Sequence, residues 1–135
     1  MDIPRYSVMT IDYQYKVEDN HLYLKCKGIF DQKALLGLFE EALQITGRHD
    51  RDIVLVDLRD IGGGPPTVLQ RYELGVFIAR RNPLGIHIVV VGEEPLIDPG
   101  RLAETVAVNR GARGKVFTSL DEAVAWIEEQ VADKH

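Results

Sequence analysis

Hydrophobic and polar positions alternate with two different periods along this chain, and the switches between them mark out its elements. Over Thr10 to Val17, the residues Ile11, Tyr13, Tyr15 and Val17 fall on one side. After the polar break Glu18-Asp19-Asn20, Leu22, Leu24 and Cys26 resume the alternation against Tyr23, Lys25 and Lys27. A period of two carried across a short polar turn predicts a β-hairpin with one wet face, ended by Gly28. The period then lengthens. Asp31 stands as an N-cap, Leu35, Leu38, Phe39, Ala42 and Leu43 recur at helical spacing, and Gly47 is placed as the left-handed residue closing that helix. Ile53-Val54-Leu55-Val56-Asp57-Leu58 is a nearly continuous apolar run, the form of a strand covered on both faces.

The loop Gly62-Gly63-Gly64-Pro65-Pro66 follows, with Pro66 expected in the first turn of the next helix, where its missing N–H costs nothing. That helix is expected to carry Leu69, Tyr72, Val76 and Ala79 along one face and to stop at Asn82-Pro83. Gly85 to Gly92 reads as a second buried strand, and Asp98-Pro99 as the start of a helix with Leu102, Val106 and Asn109 on a shared face. Lys115-Val116-Phe117 is a short strand. Ser119 and Glu122 have capping-box spacing ahead of a last helix striped by Leu120, Ala123, Val124, Ile127 and Val131. The order β-β-α-β-α-β-α-β-α predicts an α/β fold: one domain over 1–135, with a mixed sheet of five strands and four helices. Helical crossovers make the last three strands parallel. The terminal Asp133-Lys134-His135 is expected to fray.

Composition narrows the class without naming a chemistry. A chain of 135 residues, 45% hydrophobic and 27% charged, is one globular domain and not a disordered tail. A net charge of −5 argues against a general nucleic-acid binder, which needs a basic face. The single cysteine, Cys26, rules out an intramolecular disulfide and a multi-thiolate metal site, and its place in an alternating run makes it a structural thiol. Met1-Asp2-Ile3-Pro4-Arg5 has no basic n-region, and the apolar stretch from Ile86 to Gly92 is far too short for a membrane span. A cytoplasmic protein is the expectation.

Candidate chemistry is sparse. Gly62-Gly63-Gly64 sits where phosphate loops sit, but it lacks the third glycine of a dinucleotide fingerprint and the lysine of a P-loop. Two prolines also remove amides that would cradle a phosphate. His21, His49, His87 and His135 have no partners at metal spacing, so no metal site and no cofactor are expected. Asp57, Arg59 and Asp60, with Glu93, Glu94 and Asp98, gather at one sheet edge if the strands are parallel; they read as caps and solvated loop residues before an acid/base pair. Arg71, Arg80, Arg81, Arg101, Arg110 and Arg113 tint the second half basic, and Trp126 reads as a core-edge anchor. No catalytic constellation is visible, and the chain is read as a non-enzyme.

Two segments carry a family resemblance. The strand Ile53 to Ile61 with its loop and helix resembles the signature stretch of STAS domains, the anti-sigma-factor antagonists and the domains shared with sulphate transporters. Gly111-Ala112-Arg113-Gly114-Lys115-Val116-Phe117, followed by Ser119-Leu120-Asp121-Glu122-Ala123, resembles the final strand and helix of that family. Its members carry Asp-Ser-Ser or Asp-Ser-Thr at the start of the helix, where a partner kinase phosphorylates a serine. Here Pro65-Pro66-Thr67 stands instead, so Thr67 is the hydroxyl left for that role. Gln70 to Gly75 and Leu102 to Gly111 resemble a divergent, stand-alone bacterial branch that is similar to the lipid-transfer CRAL-TRIO fold. The resemblance implies a regulatory module that engages a protein partner, a regulatory kinase or a sigma-factor regulator, through Gly62, Gly63, Gly64, Thr67 and Arg71. The alternative is an apolar or acyl ligand in a pocket between the sheet and the second and third helices, with Tyr72, Val76, Phe77 and Arg110 as its residues. A helix apolar on both faces is equally consistent with a homodimer surface.

Overall fold

A computed structural model describes residues 3–133; Met1, Asp2, Lys134 and His135, with the expectations placed on them, lie outside the described residues. The elements are β1 (Tyr6–Val8), β2 (Ile11–Val17), β3 (Leu22–Ile29), α1 (Gln32–Arg48), β4 (Ile53–Gly62), α2 (Val68–Arg80), β5 (His87–Val91), α3 (Leu102–Asn109), β6 (Gly114–Phe117) and α4 (Leu120–Asp133). The strands form one mixed sheet in chain order, β1 to β6. β1, β2 and β3 are antiparallel neighbours, and β3 to β6 run parallel because α1, α2 and α3 return the chain between them. Among the described residues the sheet has six strands and not five. β1 was not expected because three residues are too few to show a period; it pairs Tyr6 with Tyr13 and Val8 with Ile11.

The two faces of the sheet are covered unequally. Ile11, Tyr13, Leu22, Leu24, Cys26, Val54, Val56, Ile88 and Val90 pack with α1, α2 and α3 into the larger core. On the opposite face α4 covers only the β4–β6 half, where Ala123 and Ile127 are buried against Ile53, Leu55, Val89, Val91 and Phe117. The hairpin half of that face stays wet, with Lys25 and Lys27 exposed, as the alternation predicts. Gly28 is left-handed (φ +148°), and a Cβ there would collide with the Thr10 carbonyl across the ladder.

Several local expectations change. Asp31 does cap α1, its carboxylate accepting from Ala34 N–H at 3.0 Å, but Gly47 lies inside the helix. The left-handed residue is Asp50 (φ +55°), and Gly47 instead admits Leu84, whose Cδ1 would stand 3.0 Å from an added Cβ. Gly62 belongs to β4, which runs past its apolar segment because its ladder to β3 continues after a register shift between Lys25 and Lys27, ending at Ile29 opposite Gly62. Pro66 precedes α2, since Thr67 is the N-cap. On α2 the buried residues are Gly75 and Ile78, while Leu69 is 73% exposed and Tyr72 43%. With apolar residues on both sides of that helix, the period alone cannot select the inner face. α3 starts at Leu102 and not at Asp98-Pro99, and Asn109 is exposed rather than sharing a buried face with Val106. Asp98 still caps it from outside, its carboxylate accepting from Leu102 N–H at 3.1 Å.

Candidate functional site

The start of α2 stands beyond the C-terminal edge of the parallel strands, where open α/β sheets present ligand and partner surfaces. Gly63 takes a left-handed turn (φ +100°) over Ile29, while Gly62 and Gly64 have nothing within 4 Å of an added Cβ, so the loop is open to approach. Thr67 then closes a reciprocal capping box. Its Oγ1 accepts from Gln70 N–H at 3.1 Å, and Gln70 Oε1 accepts from Thr67 N–H at 2.8 Å. Thr67 is exposed, and Val68 and Leu69 beside it are each 73% exposed.

Arg71 does not share that surface. Its side chain is 12% exposed and its guanidinium turns back onto the molecule, donating to the Pro95 carbonyl at 2.9 Å and to Asp98 Oδ1 at 3.2 Å. It ties α2 to the segment between β5 and α3. Tyr72, Val76 and Phe77 do come together, on the outward side of α2 in a shallow groove with Leu69, Glu73 and Arg80. Arg110 joins them from the end of α3, donating to Tyr72 Oη at 2.7 Å with its guanidinium 5.2 Å from the ring centroid. These four residues do not line the pocket between the sheet and the helices. That pocket, about 80 Å³ in volume, is walled by Leu35, Phe39, Leu74, Ile78 and Val90, with Gln32 at its polar edge.

Asp57 is the most strongly engaged acid. It is 3% exposed, and its carboxylate accepts from Arg59 Nε at 2.9 Å, Arg59 Nη2 at 2.7 Å, Arg59 N–H at 3.1 Å and Tyr23 Oη at 2.7 Å. Burial pushes the carboxyl up, but the Arg59 and Tyr23 hydrogen bonds outweigh it and hold Asp57 below the ordinary carboxylate value. Tyr23 is pushed up to about 12 by burial and by its bond to Asp57. The group braces β3 to β4, and Glu93 lies apart from it on the exposed segment after β5. Cys26 is buried, and burial pushes its thiol up, away from the reactive thiolate. His21 is buried beside Asn20 Oδ1 at 2.7 Å, and burial lowers its pKa. His87 faces Trp126 across 6.3 Å, and His49 lies against Tyr15. Among the described residues no group of three His, Cys, Asp or Glu could hold a metal ion, and no helix is long and apolar enough to cross a membrane.

Gln32 and Gly75 were not singled out from the sequence. A polar residue in the first turn of a helix carries no signal of its own, whereas a glycine inside a helical pattern does mark a close approach.

The architecture has known counterparts. The chain is similar to the crystal structure of an anti-sigma factor antagonist from Mycobacterium paratuberculosis, with a TM-score of 0.57 and 14% identity over 88% of this chain and 95% of that one. The fold is STAS-like. A DUF3478-family protein of SpoIIAA-like fold from Shewanella loihica PV-4 is also similar, at a TM-score of 0.47 and 16% identity over 87% of this chain and 93% of that one. No protein-family model matches the sequence, and neither does any curated protein. At this identity the likeness is one of STAS-like fold, and the start of α2 is where this chain departs in sequence from the expected Asp-Ser-Ser or Asp-Ser-Thr.

Proposed function

We propose that this STAS-like domain is a non-enzymatic regulatory module that binds a protein partner through residues 62–75, the glycine loop and the first half of α2. The observation that carries this reading is Thr67: an exposed hydroxyl at a helix N-cap, flanked by an open loop of exposed glycines and by the exposed apolar Val68 and Leu69. The similarity to a protein named as an anti-sigma factor antagonist supports a partner that is itself a protein, in keeping with a regulatory kinase or a sigma-factor regulator. Asp57, the best-placed acid in the parallel sheet, is fully occupied by Arg59 and Tyr23, which supports a structural and not a catalytic use.

Thr67 also suits a charge switch. A kinase that transfers a phosphoryl group from a nucleoside triphosphate to Oγ1 would place two negative charges at the positive end of α2, where they are electrostatically favoured. The same charge would oppose an apolar partner at Val68 and Leu69. Affinity capture from the native lysate, followed by titration of the recovered partner, tests both parts. Thr67→Glu is expected to weaken binding about tenfold relative to Thr67→Ala, and Leu69→Asp to weaken it in both backgrounds. Equal affinities for the two Thr67 variants would sink the switch, and a partner indifferent to Leu69→Asp would sink the surface.

A further inference from the structure

α4 covers only half of its face of the sheet, and the step where that cover ends forms a cleft. One wall is the turn between β2 and β3, closed by Glu18 N–H donating to the His21 carbonyl at 2.9 Å. The other wall is the margin of α4, with Leu120, Val124 and Glu128. Between them the floor is Tyr23 and Leu55, side by side in register on β3 and β4. The space is about 440 Å³, open on one side, within the ~300–1,000 Å³ of small-molecule sites. The Tyr23 hydroxyl is held by Asp57, so the floor offers its ring and aliphatic carbon.

His21 gives this cleft its chemistry. The residue is 8% exposed, and its Nδ1 lies 2.7 Å from Asn20 Oδ1. That oxygen accepts, so the ring proton sits on Nδ1 and Nε2 carries a lone pair. Burial holds the imidazole below its ordinary pKa despite the nearby Glu18 carboxylate, which leaves the ring neutral at pH 7. Nε2 has no partner among the described residues, yet it is not sealed from solvent. The exposure that His21 retains opens on the cleft it lines.

The charge around this lone pair is negative. Glu18, Asp19 and Glu128 line the cleft, and α4 carries five acidic residues and no basic one. Lys16 lies 3.7 Å from Glu18 but is 73% exposed, a surface pair that a competing cation displaces at little cost. Arg51 is turned onto the Glu18 and His49 carbonyls at 2.9 and 3.0 Å and does not line the space. Among the described residues no three His, Cys, Asp or Glu could hold a metal ion, so a cation here is an organic one.

We propose that this cleft binds a primary ammonium group on an aliphatic chain, either a free amine or a lysine side chain, with an N–H donating to His21 Nε2. The carboxylates of Glu18 and Glu128 balance the charge, and the chain packs on Tyr23, Leu120 and Val124. The site lies on the face of the sheet opposite α2, and it stands whether or not a protein docks there.

Three probes share a four-carbon chain: butylammonium brings charge and N–H donors, butyltrimethylammonium charge alone, and butanol a donor without charge. Nα-acetyl-lysine amide presents the ammonium as a protein would. Titrated at neutral pH and followed by methyl NMR, butylammonium is expected to give saturable shifts at Leu120 and Val124. It is expected to bind about tenfold more tightly than butyltrimethylammonium or butanol. In the nitrogen-labelled protein the His21 Nε2 resonance is expected to move upfield as its lone pair accepts a hydrogen bond. His21→Phe is expected to bring the two cations to equal affinity, and Glu128→Gln to weaken both while leaving butanol unchanged. Saturation by butylammonium supports a free amine, and saturation by the lysine amide alone supports a protein lysine. Equal binding of the two cations by the wild type, an unmoved Nε2 resonance, or saturation by neither ammonium would overturn the proposal. If His21→Phe does not fold, the wild-type affinities and the Nε2 resonance decide by themselves.

Discussion

At the scale of single residues, the Asp57 cluster is where chemistry and stability meet. Removing the carboxylate strips Arg59 and Tyr23 of their acceptor, so Asp57→Asn is expected to cost about 2 kcal/mol at neutral pH, the size of a charge-assisted hydrogen-bond loss. The sign with pH follows from the direction of the shift. Asp57 is held below its unfolded value, so its contribution is complete above about pH 4 and is lost as pH falls through the folded value. Urea unfolding from pH 7 down to pH 2 should therefore show the wild type and Asp57→Asn converging in acid; a gap that stays constant with pH would contradict the assignment. Asp57 itself was legible as the one polar residue in an apolar run, and so was Cys26 as a buried member of an alternating strand. The partner Tyr23, 34 positions away, was not, because nothing in the local pattern records which strand lies alongside. Gln32 was invisible for the same reason: the acceptors of its Nε2, the Gln70 carbonyl and Glu73 Oε1, are brought to it from α2 by the fold.

At the scale of elements, α2 is the one whose orientation matters most. Its inner face is set by Gly75 and Ile78, with Leu74 and Arg71 alongside, and its outer face keeps Leu69, Tyr72 and Val76 for contact outside the core. Gly75→Ala forces a methyl into the Ala103 carbonyl and Val106, neither of which is the free end of a flexible chain. The variant is expected to lose about 1–3 kcal/mol by overpacking, measured as a lower urea midpoint with an unchanged slope. An unchanged midpoint would mean that α2 and α3 are not in close contact. The ends of the helices were read correctly where a side chain caps within one turn, as at Asp31 and Ser119. They were misread where the cap acts across a loop, as Asp98 does for Leu102, or where the last turn runs on, as at Gly47.

At the scale of the whole molecule, stability is expected to rise toward the middle of the sheet. β4 is bonded to β3 and β5, and its Ile53–Leu58 segment is buried between the helical layers, whereas β1 is three residues long and paired on one side. Amide hydrogen exchange should be slowest across Val54–Val56, requiring global unfolding, and fastest across Tyr6–Val8; comparable rates in the two would refute this gradient. The sequence by itself determined the run of strands and helices from the hairpin onward, the α/β class and the buried central strand. Those depend on side-chain period and on hydrogen bonds between near neighbours, both of which are written in short windows. Only the tertiary structure decided that a sixth strand joins the edge, that α2 turns Gly75 inward and Thr67 outward, and that Tyr23 meets Asp57 across the sheet. Each of these rests on contacts between distant residues, where the winner is set by total buried area and by which polar groups find partners, and no single stretch of sequence holds that sum.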